Sequence, residues 1–415
     1  MVVPSRSRSR SDRWYDTAAK RGFYGTEHPG LTGKKDHVRR YWEDMAIKLM
    51  VRPALEDCLR RRPALRIVDL GAGSGEGIEL LTRIPRRDGS ARERFLFDLD
   101  RIDRYVGLDL AAGMVEQGRA NYRGHDAISF RQADLGAGFA LKDEPPFDLY
   151  FSSYSSLSHI AHDRLRHLTE DIFRHAGDTA YLVFDLFGRL SLEWPGYWGA
   201  ATQAMLPYHM AWLLPPEQRQ PERIEPYPVA YWTADELQRM VAEAATATGR
   251  RVDLTLMDRS LFVSRHADTG MFNGQPRPWR AEVNHLFDRD FRGDYARLRV
   301  DLDFLTGHRA VAPAGLARLE RYRDEWNAVV ALAEAHAADD DSQVDELIRA
   351  APPALAAEFD RLRWLVRNAA RFPVVDFWAS VFAPQVACVL RNLEFALSPG
   401  LGCGHGLLAV ATIHG

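Results

Sequence analysis

The residues best suited to chemistry stand at the end of a short apolar segment near position 70. Ile67, Val68 and Leu70 predict a buried strand that carries one acid, Asp69, and glycines follow at positions 71, 73, 75 and 77. A glycine turn of this kind lets a ligand approach the backbone, and it leaves the N–H groups at the start of the next helix accessible. The segment therefore predicts a nucleotide-type ligand site at the first strand of a doubly wound sheet.

The glycine spacing excludes three familiar sites. A dinucleotide fingerprint requires G-x-G-x-x-G, whereas Gly71, Gly73 and Gly75 give G-x-G-x-G. A phosphate-binding P-loop ends in G-K-[ST], and no lysine follows here. A nucleophile elbow needs a glycine two places before its serine, but that place before Ser74 is taken by Ala72. The glycine turn itself is therefore the feature that has to be interpreted.

Three later segments follow the glycine turn in a fixed order. Residues 104–110 form a short apolar segment that ends in Asp109, residues 128–135 contain Asp134, and residues 147–152 read as a further strand. Each acid alone is a common strand-end or turn residue. Together with the turn, however, the series resembles the class I S-adenosylmethionine (SAM) dependent methyltransferases. A charged insert within 83–104 departs from the family pattern and puts only the length of the first helix in doubt.

This resemblance implies a role for each matching residue. In the family, the first acid and the glycine turn hold the methionine end of SAM, the second acid binds both ribose hydroxyls, and the third holds the adenine amino group. Carried over to this chain, the implied cofactor-binding residues are Asp69, Gly71, Gly73, Gly75, Asp109, Leu110, Met114, Asp134 and Ser152.

The loop after the fourth strand is where the family places catalytic or substrate-binding residues. His159 is our candidate general base, and Tyr154 is a candidate for shielding the sulfonium or binding the acceptor. The alternative is that this serine-rich segment is only a polar loop. Asp185, at the end of the predicted fifth strand, is either a cap or an acceptor ligand. The family's Asn/Asp-Pro-Pro-Tyr sequence is absent, which argues against methylation of DNA adenine.

The resemblance also implies the fold, an α/β architecture with a doubly wound, mainly parallel seven-stranded sheet in the order 3-2-1-4-5-7-6. Helical periodicity appears over residues 36–60, and a helix capped by Thr233 is expected to end near Gly249. Residues 180–185 predict the fifth strand. Residues 252–257 and 261–264 predict an antiparallel hairpin that closes the sheet.

The length of 415 residues favours more than one domain. We predict a disordered tail at 1–12, N-terminal lid helices at 13–60 and a SAM-binding Rossmann-like domain at 61–266. Within that domain, the aromatic segment 187–230 is predicted to be a lid over the acceptor. Residues 267–415 are expected to form a mainly helical extension that ends in a β-hairpin.

The net charge and the cysteine content limit the classes of binding partner and the compartment that we expect. The net charge of −3 gives no reason to expect nucleic acid or an anionic membrane, although a short Arg-Ser run near the N-terminus keeps RNA open as a minor alternative. Three widely spaced cysteines favour a reducing cytoplasm over a disulfide framework. Cys403 and His405 are too few ligands for a metal site, so no metal is expected. A homodimer is one open possibility for the oligomeric state.

These observations predict a SAM-dependent methyltransferase that acts on a small molecule, with S-adenosylhomocysteine as the product, in bacterial specialised metabolism. A second hypothesis keeps SAM but breaks a different C–S bond. Such an enzyme, similar to azetidine-2-carboxylate synthases, transfers or cyclises the aminocarboxypropyl group and releases methylthioadenosine. A third hypothesis is a non-enzymatic interaction protein with the same fold.

Overall fold

The computed structural model describes residues 14–15, 36–86 and 94–415. The tail predicted at 1–12 lies outside these ranges. A π-helical turn, Arg39–Glu43, leads into the first long helix, α1, Asp44–Arg61, which confirms the helix predicted over 36–60. The later α-helices are α2 Glu76–Thr82, α3 Ala112–Asn121, α4 His162–His175, α5 Ala234–Thr248, α6 Arg265–Thr269, α7 Trp279–His285, α8 Pro313–Ala337, α9 Asp341–Arg349, α10 Ala356–Arg367 and α11 Ala383–Ala396.

The strands form one mixed sheet. Their bounds are β1 Leu65–Leu70, β2 Ile102–Asp109, β3 Ile128–Gln132, β4 Leu149–Phe151, β5 Thr179–Gly188, β6 Met205–Tyr208, β7 Tyr227–Trp232, β8 Arg251–Arg259 and β9 Gly406–His414. The first five strands are parallel in the order β3-β2-β1-β4-β5. Strand β9 then runs antiparallel between β5 and β8. Seven strands therefore follow the predicted order 3-2-1-4-5-7-6, with β9 as the seventh and β8 as the sixth.

Two smaller strands belong to the predicted lid segment: β6 lies within it, and β7 begins in it and ends two residues beyond it. Strands β6 and β7 form an antiparallel pair, and β7 continues the sheet by pairing with Phe187 and Gly188 at the end of β5. Tyr231 and Trp232 thus belong to a strand, and helix α5 begins only after them. Thr233 caps α5 as predicted, and the structure adds a reciprocal capping box with Glu236.

The predicted closing hairpin is wrong. Strand β8 matches its first half, but residues 261–264 form no strand, and the partner of β8 is β9 at the far end of the chain. At Ser260 the backbone φ angle is +61°, and this left-handed conformation turns the chain out of the sheet. Leu261 and Phe262 are then fully buried among the helices that follow. An apolar run that looked like a strand is instead part of a helical core.

The predicted terminal hairpin is also wrong. Its first half lies in helix α11, and only β9 is a strand. An apolar run of this length fits a buried helix as well as a strand. Helices α6–α11 therefore lie between the last two strands of the sheet in the order of the chain, and the predicted extension 267–415 returns its final strand to the sheet.

Buried apolar side chains cover both faces of the sheet, as is usual where helices pack on each side. A third buried cluster fills the helical segment, and a fourth, mainly aromatic, surrounds strands β6 and β7. No helix among the described residues is long and apolar enough to cross a membrane.

An ion pair crosses the central strand β9. Gly406 of β9 pairs with Phe187 of β5 on one side and with Arg259 of β8 on the other. Arg259 Nη2 lies 3.0 and 3.1 Å from the carboxylate oxygens of Asp185, and both side chains are buried. A Cβ atom at Gly406 would lie 2.6 Å from Arg259 Nη2 and 2.8 Å from Asp185 Oδ1. Glycine is therefore required where the pair passes over the strand.

We predict that Gly406→Ala destabilises the protein by about 1–3 kcal/mol, because the added methyl group has to separate a buried ion pair. Urea unfolding measures the change. Gly196→Ala is the matched control, since a Cβ there meets no atom within 4 Å. Equal stability of the Gly406 variant and the unmodified protein would contradict the placement of β9.

Candidate functional site

The glycine turn after β1 adopts backbone conformations that favour glycine. The φ angles of Gly71, Gly73 and Gly75 are +79°, +53° and +98°. A Cβ at Gly71 would lie 2.5 Å from the Cβ of Ser156, so the turn packs closely against the loop after β4. A Cβ at Gly73 would meet nothing within 4 Å. The turn is thus closed on the Gly71 side and open at Gly73, as a cradle for a ligand requires.

Asp109, at the end of β2, faces this turn. Its Oδ2 accepts a hydrogen bond from the Gly73 N–H at 2.8 Å, and its Oδ1 accepts one from the Ala111 N–H at 2.8 Å. The carboxylate is half-buried, and the adjacent Leu110 is 53% exposed. Met114 is buried in the first turn of helix α3. A two-oxygen acceptor beside an exposed apolar side chain suits a ribose diol next to a purine.

Asp134 follows the neighbouring strand β3. It is exposed, and its Oδ1 accepts a hydrogen bond from the Gly136 N–H at 2.9 Å. Gln132 Nε2 donates to the carbonyl oxygen of Leu110 at 2.9 Å, which ties the end of β3 to the end of β2. The structure therefore brings together the turn and the two acids that the sequence singled out. Adenine binding by Asp134 stays a prediction.

Asp69 lies deeper than the other candidates. It is buried, and its Oδ2 accepts a hydrogen bond from the Tyr105 hydroxyl at 2.5 Å. Burial raises the pKa of Asp69 to about 7 despite that hydrogen bond. A Cβ at Gly77 would lie 2.1 Å from this carboxylate, so Asp69 supports the first turn of helix α2. Its contact with the methionine end of a ligand stays a prediction.

The loop after β4 is strained where it meets the glycine turn. Tyr154 and Ser155 have φ angles of +54° and +60°, which non-glycine residues rarely adopt. The Tyr154 N–H donates to Asp185 at 2.7 Å, and its hydroxyl donates to Asp44. Before it, Ser152 is fully buried, and its Oγ has no hydrogen-bond partner among the described residues. Contacts of either residue with SAM or an acceptor stay predictions.

Tyr154 also carries a cation on its ring. The Arg39 guanidinium carbon lies 3.3 Å from the ring centroid, and Arg39 pairs with Asp44 at 3.1 Å and with Glu76 at 3.4 Å. Since Glu76 directly follows Gly75, this contact joins the segment that leads into helix α1 to the glycine turn. Burial raises the pKa of the Tyr154 hydroxyl well above its ordinary value, so it stays protonated at neutral pH.

His159 lies among aromatic rings. A hydrogen bond of 2.9 Å joins its Nε2 to the hydroxyl of Tyr15, and its ring stacks on Tyr227 with centroids 5.5 Å apart. Desolvation lowers the pKa of His159 to about 4. The imidazole is therefore uncharged at neutral pH, the state in which a base can accept a proton, but a pKa of about 4 makes it a weaker base than free imidazole. Its catalytic role stays a prediction.

A buried charge network beside this loop was not predicted. Glu43 Oε1 accepts hydrogen bonds from Arg280 Nη1 at 2.8 Å and from Ser260 Oγ at 3.2 Å, and Arg259 Nη1 lies 3.6 Å away. Burial alone would raise the pKa of Glu43, but the neighbouring guanidinium groups outweigh it and hold the pKa well below its ordinary value. Long-range pairings such as Glu43 with Arg280 leave no local sequence pattern by which to find them.

The described residues contain no group of three or more His, Cys, Asp or Glu side chains placed to hold a metal ion. His405 instead binds Glu193, with 2.7 Å between Nδ1 and Oε2, and Cys403 is buried against the carbonyl oxygen of Gly315.

The comparison with protein families decides what the cradle belongs to. Residues 67–178, which span β1 to the end of helix α4, match a family model described as a methyltransferase domain. This segment belongs to the SAM-dependent methyltransferases. The enzyme is therefore a SAM-dependent transferase with the class I, Rossmann-like fold. Comparison with curated proteins gave no match.

Several solved methyltransferase structures are similar to parts of this chain at low identity. A SAM-dependent methyltransferase from Mesorhizobium loti is 20% identical, covers 49% of this chain and 83% of its own, and gives a TM-score of 0.33. CalS10, an amino pentose methyltransferase from Micromonospora echinaspora, is 14% identical over 60% of this chain and 93% of its own, with a TM-score of 0.32. DesVI from Streptomyces venezuelae is 17% identical over 60% of this chain and 94% of its own, with a TM-score of 0.33.

Replacing Asp109 with alanine should weaken binding of S-adenosylhomocysteine about 10- to 150-fold, because a charged acceptor loses its hydrogen bonds to the ribose. Isothermal titration calorimetry measures the affinity. Asp103→Ala is the control, since Asp103 lies at the other end of β2, where it pairs with Arg66 at 3.4 Å. Unchanged affinity in the Asp109 variant would remove this residue from the cofactor site.

The imidazole of His159 should not titrate between pH 5.5 and 8, because its pKa is lowered to about 4. The measurement is the pH dependence of its Cε1–H signal by NMR, assigned by comparison with His159→Gln. A titration midpoint near the ordinary value of about 6.5 would show that the site is hydrated and that the proposed burial is absent.

Proposed function

We propose that this enzyme transfers the methyl group of SAM to a small-molecule acceptor in bacterial specialised metabolism. The observation that carries the proposal is the adjacency of two features. The cradle of Gly71, Gly73, Gly75 and Asp109 lies against the loop after β4 through the hydrogen bond from Ser156 Oγ to the Gly71 carbonyl oxygen, at 3.1 Å. The same loop carries the uncharged His159 among aromatic rings.

In this assignment, SAM supplies a methyl carbon activated by the positive sulfur. The protein positions the reactants and receives a proton, which is most of what such a transfer requires. Asp109 holds the ribose, and the open side of Gly73 admits the methionine end. The acceptor's O–H or N–H group loses its proton to His159 as the methyl group arrives.

The surroundings of His159 favour an acceptor with an aromatic or apolar surface. Tyr227, next to His159, belongs to the aromatic cluster of β6 and β7, where Phe272 stacks on His209 with centroids 4.4 Å apart. Side chains of this kind line small-molecule sites, in which a few polar groups fix the orientation of the ligand. With a net charge of −3, the chain has no basic excess to attract a nucleic acid. A cytoplasmic location and a possible homodimer stay predictions from the sequence.

The nucleoside released from SAM tests the type of transfer. Incubation of the enzyme with SAM and pooled bacterial small-molecule extracts should yield S-adenosylhomocysteine, and His159→Gln should lower its rate of formation by about 100-fold or more. Liquid chromatography with mass spectrometry identifies the product. Methylthioadenosine formed without any acceptor would contradict methyl transfer and establish chemistry on the aminocarboxypropyl group instead.

A further inference from the structure

Arg265 is a largely buried cation, with 14% of its side chain exposed. It begins helix α6, and its guanidinium carbon lies 4.2 Å from the centroid of the Trp212 ring. The nearest carboxylate is that of Glu43, with Nη2 and Oε2 3.6 Å apart, which is longer than a hydrogen bond. Its side chain donates no hydrogen bond to any residue that the structure describes.

The two other arginines around Glu43 differ from Arg265 in this respect. Arg259 binds Asp185 through two hydrogen bonds, and Arg280 binds Asp36 with Nη2 and Oδ2 2.6 Å apart. Each of them therefore has a carboxylate of its own.

Glu43 does not provide a hydrogen-bond acceptor for Arg265. The hydrogen bonds of Glu43 come from Arg280 and Ser260, and all of them go to Oε1. Burial lowers the pKa of Arg265, and the ion pair with Glu43 only partly offsets that effect. A buried guanidinium in this state is stabilised by an additional acceptor.

The position of Arg265 is beside the cradle. Its ion-pair partner Glu43 ends the π-helical turn that begins at Arg39, and Arg39 pairs at 3.4 Å with Glu76, the first residue of helix α2 after Gly75. Trp212, which covers the guanidinium, belongs to the segment predicted as the acceptor lid. Arg265 therefore lies between the segment that pairs with the start of helix α2 and the segment predicted as the acceptor lid.

We propose that Arg265 binds a carboxylate group of a ligand while Trp212 stacks on its guanidinium. The planar fork of an arginine matches a carboxylate with two parallel hydrogen bonds. A dianionic phosphate fits less well because Glu43 lies beside the fork and repels it more strongly. This inference rests on the proposed function, whose reactants offer two sources of the group: the methionine end of SAM and an acidic acceptor.

Calorimetry with two nucleosides separates the first source. S-adenosylhomocysteine carries the amino-acid end, and methylthioadenosine lacks it. If the cofactor supplies the carboxylate, Arg265→Gln weakens S-adenosylhomocysteine binding about tenfold or more and leaves methylthioadenosine binding unchanged. The affinity of Arg265→Lys for S-adenosylhomocysteine lies between those of the unmodified protein and Arg265→Gln, because an ammonium group keeps the charge but lacks the planar fork of donors.

The second source is tested on protein saturated with S-adenosylhomocysteine. Indole-3-acetate and its neutral analogue indole-3-acetamide are the probes, because they differ in charge while sharing an aromatic body. If the acceptor supplies the carboxylate, Arg265→Gln leaves S-adenosylhomocysteine binding unchanged and weakens binding of the acetate about tenfold, with no effect on the amide.

Arg277→Gln is the matched control, since Arg277 also stacks on an aromatic ring, 3.5 Å from the centroid of Phe304. Unchanged binding of both carboxylates in Arg265→Gln would overturn the inference, as would an equal loss for S-adenosylhomocysteine and methylthioadenosine. Failure of the unmodified protein to bind S-adenosylhomocysteine would instead overturn the proposed function itself.

Discussion

The ion pair between Asp185 and Arg259 is the interaction on which the rest of the structure depends. It joins β5 to β8 across Gly406 and so fixes the last strand of the chain between two earlier ones. The Asp185 carboxylate also accepts the N–H of Tyr154, which holds the strained loop after β4 in place. One buried pair therefore links the closure of the sheet to the position of the loop after β4.

The return of the chain to the sheet needs a second fixed point. Asp258, the residue before Arg259, accepts hydrogen bonds from the backbone N–H groups of Leu401, Gly402 and Cys403 at 2.9, 2.7 and 3.0 Å. Glu394 accepts the N–H groups of Ser260 and Leu261 where the chain leaves β8. The chain is thus held by hydrogen bonds both where it leaves β8 and where it returns toward β9. The helical segment between these points is therefore anchored at both ends, next to the strand ends that carry the site.

The segment before helix α1 is attached to the same place. Asp36 and Glu43 both bind Arg280 from helix α7, which belongs to the inserted helices. Breaking such a buried group of charges by removing one member is strongly destabilising, since the remaining charges stay buried. The N-terminal segment, the sheet and the inserted helices consequently meet at one buried network beside the cradle, and Arg265 is its least satisfied member.

The cradle was predictable from the sequence because its parts are local. A strand, a glycine turn and an acid at the end of the next strand are each encoded by a short run of residues, and the structure brings them together through the hydrogen bond from Gly73 to Asp109. The seventh strand was not predictable, since its partners lie more than 140 residues away and the apolar residues after Ser260 read equally well as a strand. The buried charge network was not predictable for the same reason, because its ion pairs connect segments that are distant in the sequence.

A crystal structure of the protein with S-adenosylhomocysteine would test directly whether the glycine turn and Asp109 bind the cofactor. We expect the ribose hydroxyls within hydrogen-bond distance of the Asp109 carboxylate, the adenine beside Asp134 and Leu110, and the methionine end over Gly73. A ligand bound away from the glycine turn, or a ribose that does not contact Asp109, would contradict this expectation.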